Sequence, residues 1–182
     1  KIAARLASAE EVTRARAFPY QLLMAYTQAD PKVPRIVREA LHDAMEASLA
    51  NVPAIEGKIY VLPDVSGSMH SPVTGHRAGA TTQVRCIDVA ALVAAAFLRR
   101  NPSAEGDLVV FVSDNESWID NKPRGRGTAV MRAWDEFRTR NPRARLVCID
   151  VQPSATLQAP DRDDILNVGG FSDAVFDIIA AF

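Results

Sequence analysis

The sequence predicts an α/β fold: an open, doubly wound, mostly parallel sheet flanked by helices, preceded by a helical segment. Three observations carry this. From residue 58 onward, short apolar runs alternate with stretches of helical length. The runs are solidly apolar rather than alternating, as in strands covered on both faces. Before residue 55, apolar residues recur at helical spacing only.

The elements follow in order. "SAEEVTRARA" offers Ser8 as an N-cap with Glu11 three residues on, a capping-box pattern. "FPYQLLMAYTQA" predicts a second helix, with Pro19 at its start. In "DPKVPRIVREALHDAMEASLANVP", the residues Ile36, Val37, Ala40, Leu41, Ala44, Met45 and Leu49 form one stripe, ended by Asn51 and Pro53. A first strand is expected over 58–64, "KIYVLPD". A helix over 83–100 is apolar on most sides, which suits packing on a sheet. Strands over 107–117, 144–152 and 164–170 follow, with an amphipathic helix over 128–140 between the first two. A last helix over 171–182 is expected to be capped by Ser172. The crossovers between parallel strands are expected to be right-handed. The predicted division is a helical segment, 1–54, and a sheet domain, 55–182.

Composition narrows the function. The chain has 182 residues, 48% hydrophobic, enough for a true core. A net charge of −1 argues against nucleic-acid binding by bulk charge, though not against a local basic face. The two cysteines, Cys86 and Cys148, fall in a helical and a strand pattern and read as buried thiols, not a disulfide. No apolar run reaches the roughly 18 residues of a membrane span, and the N-terminus lacks a signal-peptide core. The expected compartment is the cytoplasm. The chain begins at Lys1 and not at Met, so a longer parent protein is expected.

The chemistry concentrates where strands end. In an open parallel sheet, ligands bind beyond the carboxyl ends of the strands. Asp64 ends the first strand, and Asp114 ends the second. Ser66 and Ser68 follow Asp64 in "DVSGSM". All four side chains are hard oxygen donors, suited to Mg²⁺ or Mn²⁺ and not to zinc. The same residues also suit an ordinary turn, in which Asp and Ser satisfy backbone donors. His70 and His76 lie in the following loop, within reach of a ligand; Asn115 and Glu116 are either ligands or solvated loop residues.

No phosphate loop, nucleophile elbow or catalytic triad is present, so no catalytic residue is assigned. Two arginine-rich stretches remain. Arg138, Arg140, Arg143 and Arg145 read chiefly as a solvated helix end. Arg124 and Arg126, in the loop after Asp114, either attract phosphate or are merely solvated. Trp118 is either a partner contact or loop packing.

"DVSGSM" after an apolar strand, with "VSDNE" later, resembles the von Willebrand factor A domain. The stretches "FPYQLLMAY", "VREALHDAMEASLANVPAIEGKIYVLPDVSGSM", "VRCIDVAALVAAAFLRR" and "VVFVSDNESW" resemble bacterial Ro (TROVE) proteins, RNA-binding rings of helical repeats closed by such a domain. The resemblance implies that Asp64, Ser66, Ser68 and Asp114 belong to a metal-ion-dependent adhesion site. It implies that a protein partner offers the ion a carboxylate. It further implies that the full-length protein binds structured, Y-RNA-like noncoding RNA, in RNA quality control and without chemistry of its own. The family pattern also has two more strands and a threonine loop where this chain has only "NPSAEG", 101–106. Those strands would take about 30–40 residues, so a missing segment is expected there. Thr81 and Thr82 do not match the absent threonine and read as helix-cap residues. Two other functions use the same residues: a metal-dependent phosphoryl-transfer or hydrolase enzyme, and a protein-interaction A domain with no RNA role.

Overall fold

A computed structural model describes residues 1–55, 58–75, 82–100, 108–114, 129–153 and 157–182. The predicted Arg124, Arg126, His76, Asn115, Glu116, Trp118, Thr81 and the 101–106 junction lie outside the described residues.

Four helices open the chain: α1 (Ile2–Leu6), α2 (Ala9–Arg14), α3 (Pro19–Thr27) and α4 (Arg35–Ser48). Ser8 caps α2 as expected, its Oγ accepting from the Glu11 N–H at 3.4 Å. Val12, Leu22, Leu41 and Ala44 form a small apolar centre among these helices. The α4 stripe is narrower than predicted. Ala40, Leu41 and Ala44 are buried, whereas Ile36 is exposed. Ile36 lies in the first turn, just after Pro34, beyond the cover of its neighbours.

The sheet contains β1 (Ile59–Pro63), β2 (Leu108–Ser113), β3 (Arg145–Asp150) and β4 (Ile165–Gly169), all parallel, in the order β1-β2-β3-β4. Around it lie α5 (Cys86–Arg100), α6 (Ala129–Arg140) and α7 (Ala174–Ala181). Strand residues divide by parity, because successive side chains point to opposite faces. Val110, Val112, Val147 and Ile149 meet α5 and α7. Val109, Leu146 and Cys148 meet Met131 and Trp134 of α6. The sheet is thus covered on both faces.

This division corrects the expectation of uniformly right-handed crossovers. The steps β1→β2 and β2→β3 run the same way across the sheet. Their helices, α5 and α6, lie on opposite faces. Two such crossovers have opposite hands, although about 98% of parallel crossovers are right-handed. The β3–β4 connection lies on the α6 side, through Ala159. The step through α5 is therefore the exception. Its face suits a strand on the free side of β1, where none stands among the described residues.

One carboxylate adds a polar tie to the apolar packing between the helical segment and the sheet core. Asp173, in place of the expected Ser172, precedes α7, and its side chain does not cap its own helix. Its Oδ1 accepts from Tyr20 N–H at 3.0 Å and its Oδ2 from Gln21 N–H at 3.2 Å. These are first-turn donors of α3, which otherwise lack partners. Burial pushes the Asp173 pKa up, and the two amides work against that. Asp173→Ala is expected to cost about 2 kcal/mol, as loss of a helix cap does, with the urea midpoint as readout.

A second carboxylate fastens the α6 face. Asp164 accepts from Trp134 Nε1 at 2.9 Å and from Arg162 Nε at 2.9 Å, and pairs with Arg138 at 2.9 Å. Burial acts to raise its pKa, but the Trp134 and Arg162 hydrogen bonds and the two guanidinium charges prevail and hold it below the ordinary value. A depressed folded pKa gives stability that is present above the unfolded value, about 3.9, and lost as pH falls through the folded value. The stability gap between wild type and Asp164→Asn is expected to be full at neutral pH and to close below about pH 4. Denaturant melts across that range test it.

Candidate metal centre

The rim at the carboxyl ends of the strands gathers the predicted residues. Pro63 pairs with Val112, and the Asp64 N–H continues the ladder onto Val112 O at 2.8 Å. Asp64 therefore lies opposite Ser113, whose hydroxyl donates to Asp64 Oδ2 at 2.8 Å. Asp114 follows Ser113 at the end of β2 and is 5% exposed. The two predicted acids thus end neighbouring parallel strands, on one rim.

The loop after Asp64 folds back on it. Ser66 N–H donates to Asp64 Oδ1 at 2.8 Å. Gly67–His70 forms one turn of 3₁₀ helix, anchored by the fully buried Met69. This turn brings Ser66 Oγ and Ser68 Oγ to 3.0 Å. His70 points away toward α5, with Nδ1 3.4 Å from an Arg85 nitrogen, and Arg85 is paired with Asp88.

The next stretch is strapped down. Val73 N–H bonds Val84 O, and Cys86 N–H bonds Ser71 O. Gln152, just beyond β3, donates to Pro72 O at 2.6 Å and to Cys86 Sγ at 3.2 Å. Gly75 turns the chain with a φ of 63°, in the left-handed region that a side chain disfavours. Cys86 and Cys148 are both free and buried. Burial pushes the Cys148 thiol up to about 12. Burial raises the Cys86 thiol most; the Gln152 hydrogen bond works against it, and the charges of Asp114 and then Asp150 add smaller upward pushes.

Two neighbours of the site escaped the sequence reading. Ser113 fixes the Asp64 carboxylate. Asp150 ends β3, pairs in register with Ser113 and is 8% exposed. The strand-end rule that selected Asp64 and Asp114 also selects Asp150, in "VCIDVQ". Thr82 lies apart from the site: its hydroxyl accepts from Val84 N–H and contacts Met24 Sδ at 3.7 Å. Arg138, expected at a solvated helix end, instead pairs with the largely buried Asp164 and donates to Pro142 O.

The donor set fits a small hard cation. Mg²⁺ holds oxygens at about 2.0–2.1 Å in an octahedron, so adjacent ligands sit about 2.9 Å apart. The serine hydroxyls are hydrogen-bonded to each other at 3.0 Å, so both oxygens stand at the same point of the rim. Each Asp64 oxygen accepts one hydrogen bond and keeps a second lone pair. Among the described residues, no three His, Cys, Asp or Glu side chains gather as metal ligands. The donors are hydroxyls and few carboxylates, unlike a zinc or calcium cage.

No family profile matches the chain, and no curated protein matches it. Among solved structures, it is similar to the Ro (RSR) protein of Deinococcus radiodurans, with a TM-score of 0.72 and 20% identity. The match covers 99% of this chain and 47% of that one, so this chain spans about half the length of its structural neighbour. The likeness establishes the fold: a parallel α/β sheet with flanking and preceding helices, arranged as in part of a Ro protein.

Proposed function

We propose that the chain is the A-type domain, with preceding helices, of a Ro-like RNA-binding protein. The observation that carries this is the fold shared with a Ro structure over 99% of the chain. The quoted sequence stretches point the same way. Asp64, Ser66, Ser68 and Asp114 would hold Mg²⁺ or Mn²⁺ at the rim. The ion would supply an electrophilic point for an acidic group of a protein partner. Ser113 and the Ser66 amide orient Asp64, and buried Met69 fixes the turn that pairs the two hydroxyls.

The domain docks partners and performs no chemistry, in a ribonucleoprotein of the cytoplasm. The RNA is a structured, Y-RNA-like noncoding RNA, bound chiefly by the rest of the longer protein, with Arg124 and Arg126 assisting. His70, turned toward Arg85, would meet the partner and not the ion. No described helix is long and apolar enough to cross a membrane.

Filter binding of a structured RNA to the longer protein, in Mg²⁺ and at several salt concentrations, tests this. Retention that weakens with salt, with the RNA intact, is the expected result. Cleavage of the RNA would favour the enzyme reading, and no retention at low salt would leave a protein-interaction domain alone. Equal affinity after replacing Arg124 and Arg126 with alanine would remove their assigned part.

A further inference from the structure

Beside the metal centre, the α6 side of the same rim holds a second group of oxygens. Asp150 ends β3 and is 8% exposed. Its side chain shares a face with Leu146 and Cys148, which pack against α6. Ser113 stands next to it in register and turns its hydroxyl the other way, toward Asp64. The β3–β4 connection covers this face through Ala159. Gln158, also 8% exposed, donates from Nε2 to Ile149 O at 3.3 Å, which lays its amide against the Ile149–Asp150 peptide. Asn167 lies diagonally from Asp150 across the β3–β4 pair and donates from Nδ2 to Ala159 O at 3.1 Å.

These two bonds fix the amide orientations, because reversing either would set oxygen against oxygen. The amide oxygens, Gln158 Oε1 and Asn167 Oδ1, are buried and have no hydrogen-bond partner among the described residues. A buried carbonyl oxygen in that condition is costly, and a water or an ion is the usual remedy. The neighbouring donors are engaged elsewhere: Gln158 Nε2 with Ile149, Asn167 Nδ2 with Ala159, and Ser113 Oγ with Asp64. A water there would lack a donor for its own oxygen, whereas a cation asks for oxygens alone.

We infer that Asp150, Gln158 and Asn167 hold a monovalent cation, Na⁺ or K⁺, in a site separate from the proposed Mg²⁺ position. One carboxylate among neutral amide oxygens is a set of low charge. Mg²⁺ dehydrates reluctantly, and the affinity for Ca²⁺ follows the charge of its ligands. Carbonyl oxygens, by contrast, readily replace the water shell of K⁺. The cation ties the β3–β4 connection to the end of β3. It also offsets one negative charge beside Asp64 and Asp114, which on the docking reading eases the approach of a partner's carboxylate.

Melting in EDTA, with choline chloride exchanged for NaCl or KCl at constant ionic strength, tests this apart from the Mg²⁺ reading, whose failure would leave these outcomes unchanged. The wild-type midpoint is expected to rise by about 3–5 °C once the cation reaches about ten times its dissociation constant. Asp150→Asn and Gln158→Met are expected to lose that rise. In wild-type crystals soaked with RbCl, an anomalous peak is expected within bonding distance of Gln158 Oε1. Equal midpoints in all three salts overturn the inference, as does a rise that both variants keep. An ordered water at Gln158 Oε1 in place of a rubidium peak overturns it as well.

Discussion

Asp64→Ala is expected to abolish the stabilisation that Mg²⁺ gives the wild-type protein. The ligand set has few carboxylates, so one acid carries much of the attraction for the ion. A ligand at 100 times its dissociation constant stabilises the folded state by about 2.7 kcal/mol. In a protein of this size that raises the melting midpoint by about 5–10 °C. The substitution also strands two donors, Ser66 N–H and Ser113 Oγ–H, which now bond the carboxylate. A metal-free loss of about 1–2 kcal/mol follows from that alone. The diagnostic quantity is therefore the difference between melts with and without Mg²⁺, taken within each protein. Asp64→Asn sharpens it, since it keeps an acceptor and the shape while removing the charge. Equal shifts in wild type and both variants, or no shift in any, would remove the cation from this rim.

Much of this rim was legible because local rules generate it. Apolar runs marked the strands to within one or two residues, except that the second was expected to run to 117 and β2 stops at Ser113, and strand ends in a parallel sheet converge. Asp64, Ser66 and Ser68 could be selected by adjacency, and Asp114 by the strand that precedes it. What escaped depends on which elements become neighbours. Ser113 is an unremarked strand residue until β1 is laid beside β2. Asp173 looks like part of its own helix cap until α3 arrives, more than 150 positions earlier in the chain. The opposed hands of the α5 and α6 crossovers are likewise invisible to periodicity, which reports the buried face of a helix but not the side of the sheet it covers. The narrow stripe of α4 has the same origin: spacing marked Ile36 as apolar-faced, and no neighbour came to cover it.

Phe176→Ala is expected to be among the most destabilising single substitutions in the described core. The ring is fully buried, 5.6 Å from Phe97 and 6.0 Å from Phe171, and stacks at 6.5 Å on Phe18. Those rings belong to α5, to the approach to α7, and to the helical segment. Truncation removes a large apolar surface and leaves a cavity that three separate elements would have to move to fill. Such changes cost about 3–5 kcal/mol, or about 10 °C of melting midpoint at this chain length. Leu98→Ala, on the exposed side of α5, should cost no more than about 0.5 kcal/mol. The Phe18 contact makes a sharper test. If the helical segment and the sheet unfold as one unit, Phe18→Ala and Phe176→Ala should couple by about 0.5–1.5 kcal/mol in a double-mutant cycle. They should also shift one transition rather than split it. Additive losses, or a first transition confined to residues before 55, would mean that the Asp173 tether and this aromatic contact do not join the two parts, and that the helices fold on their own.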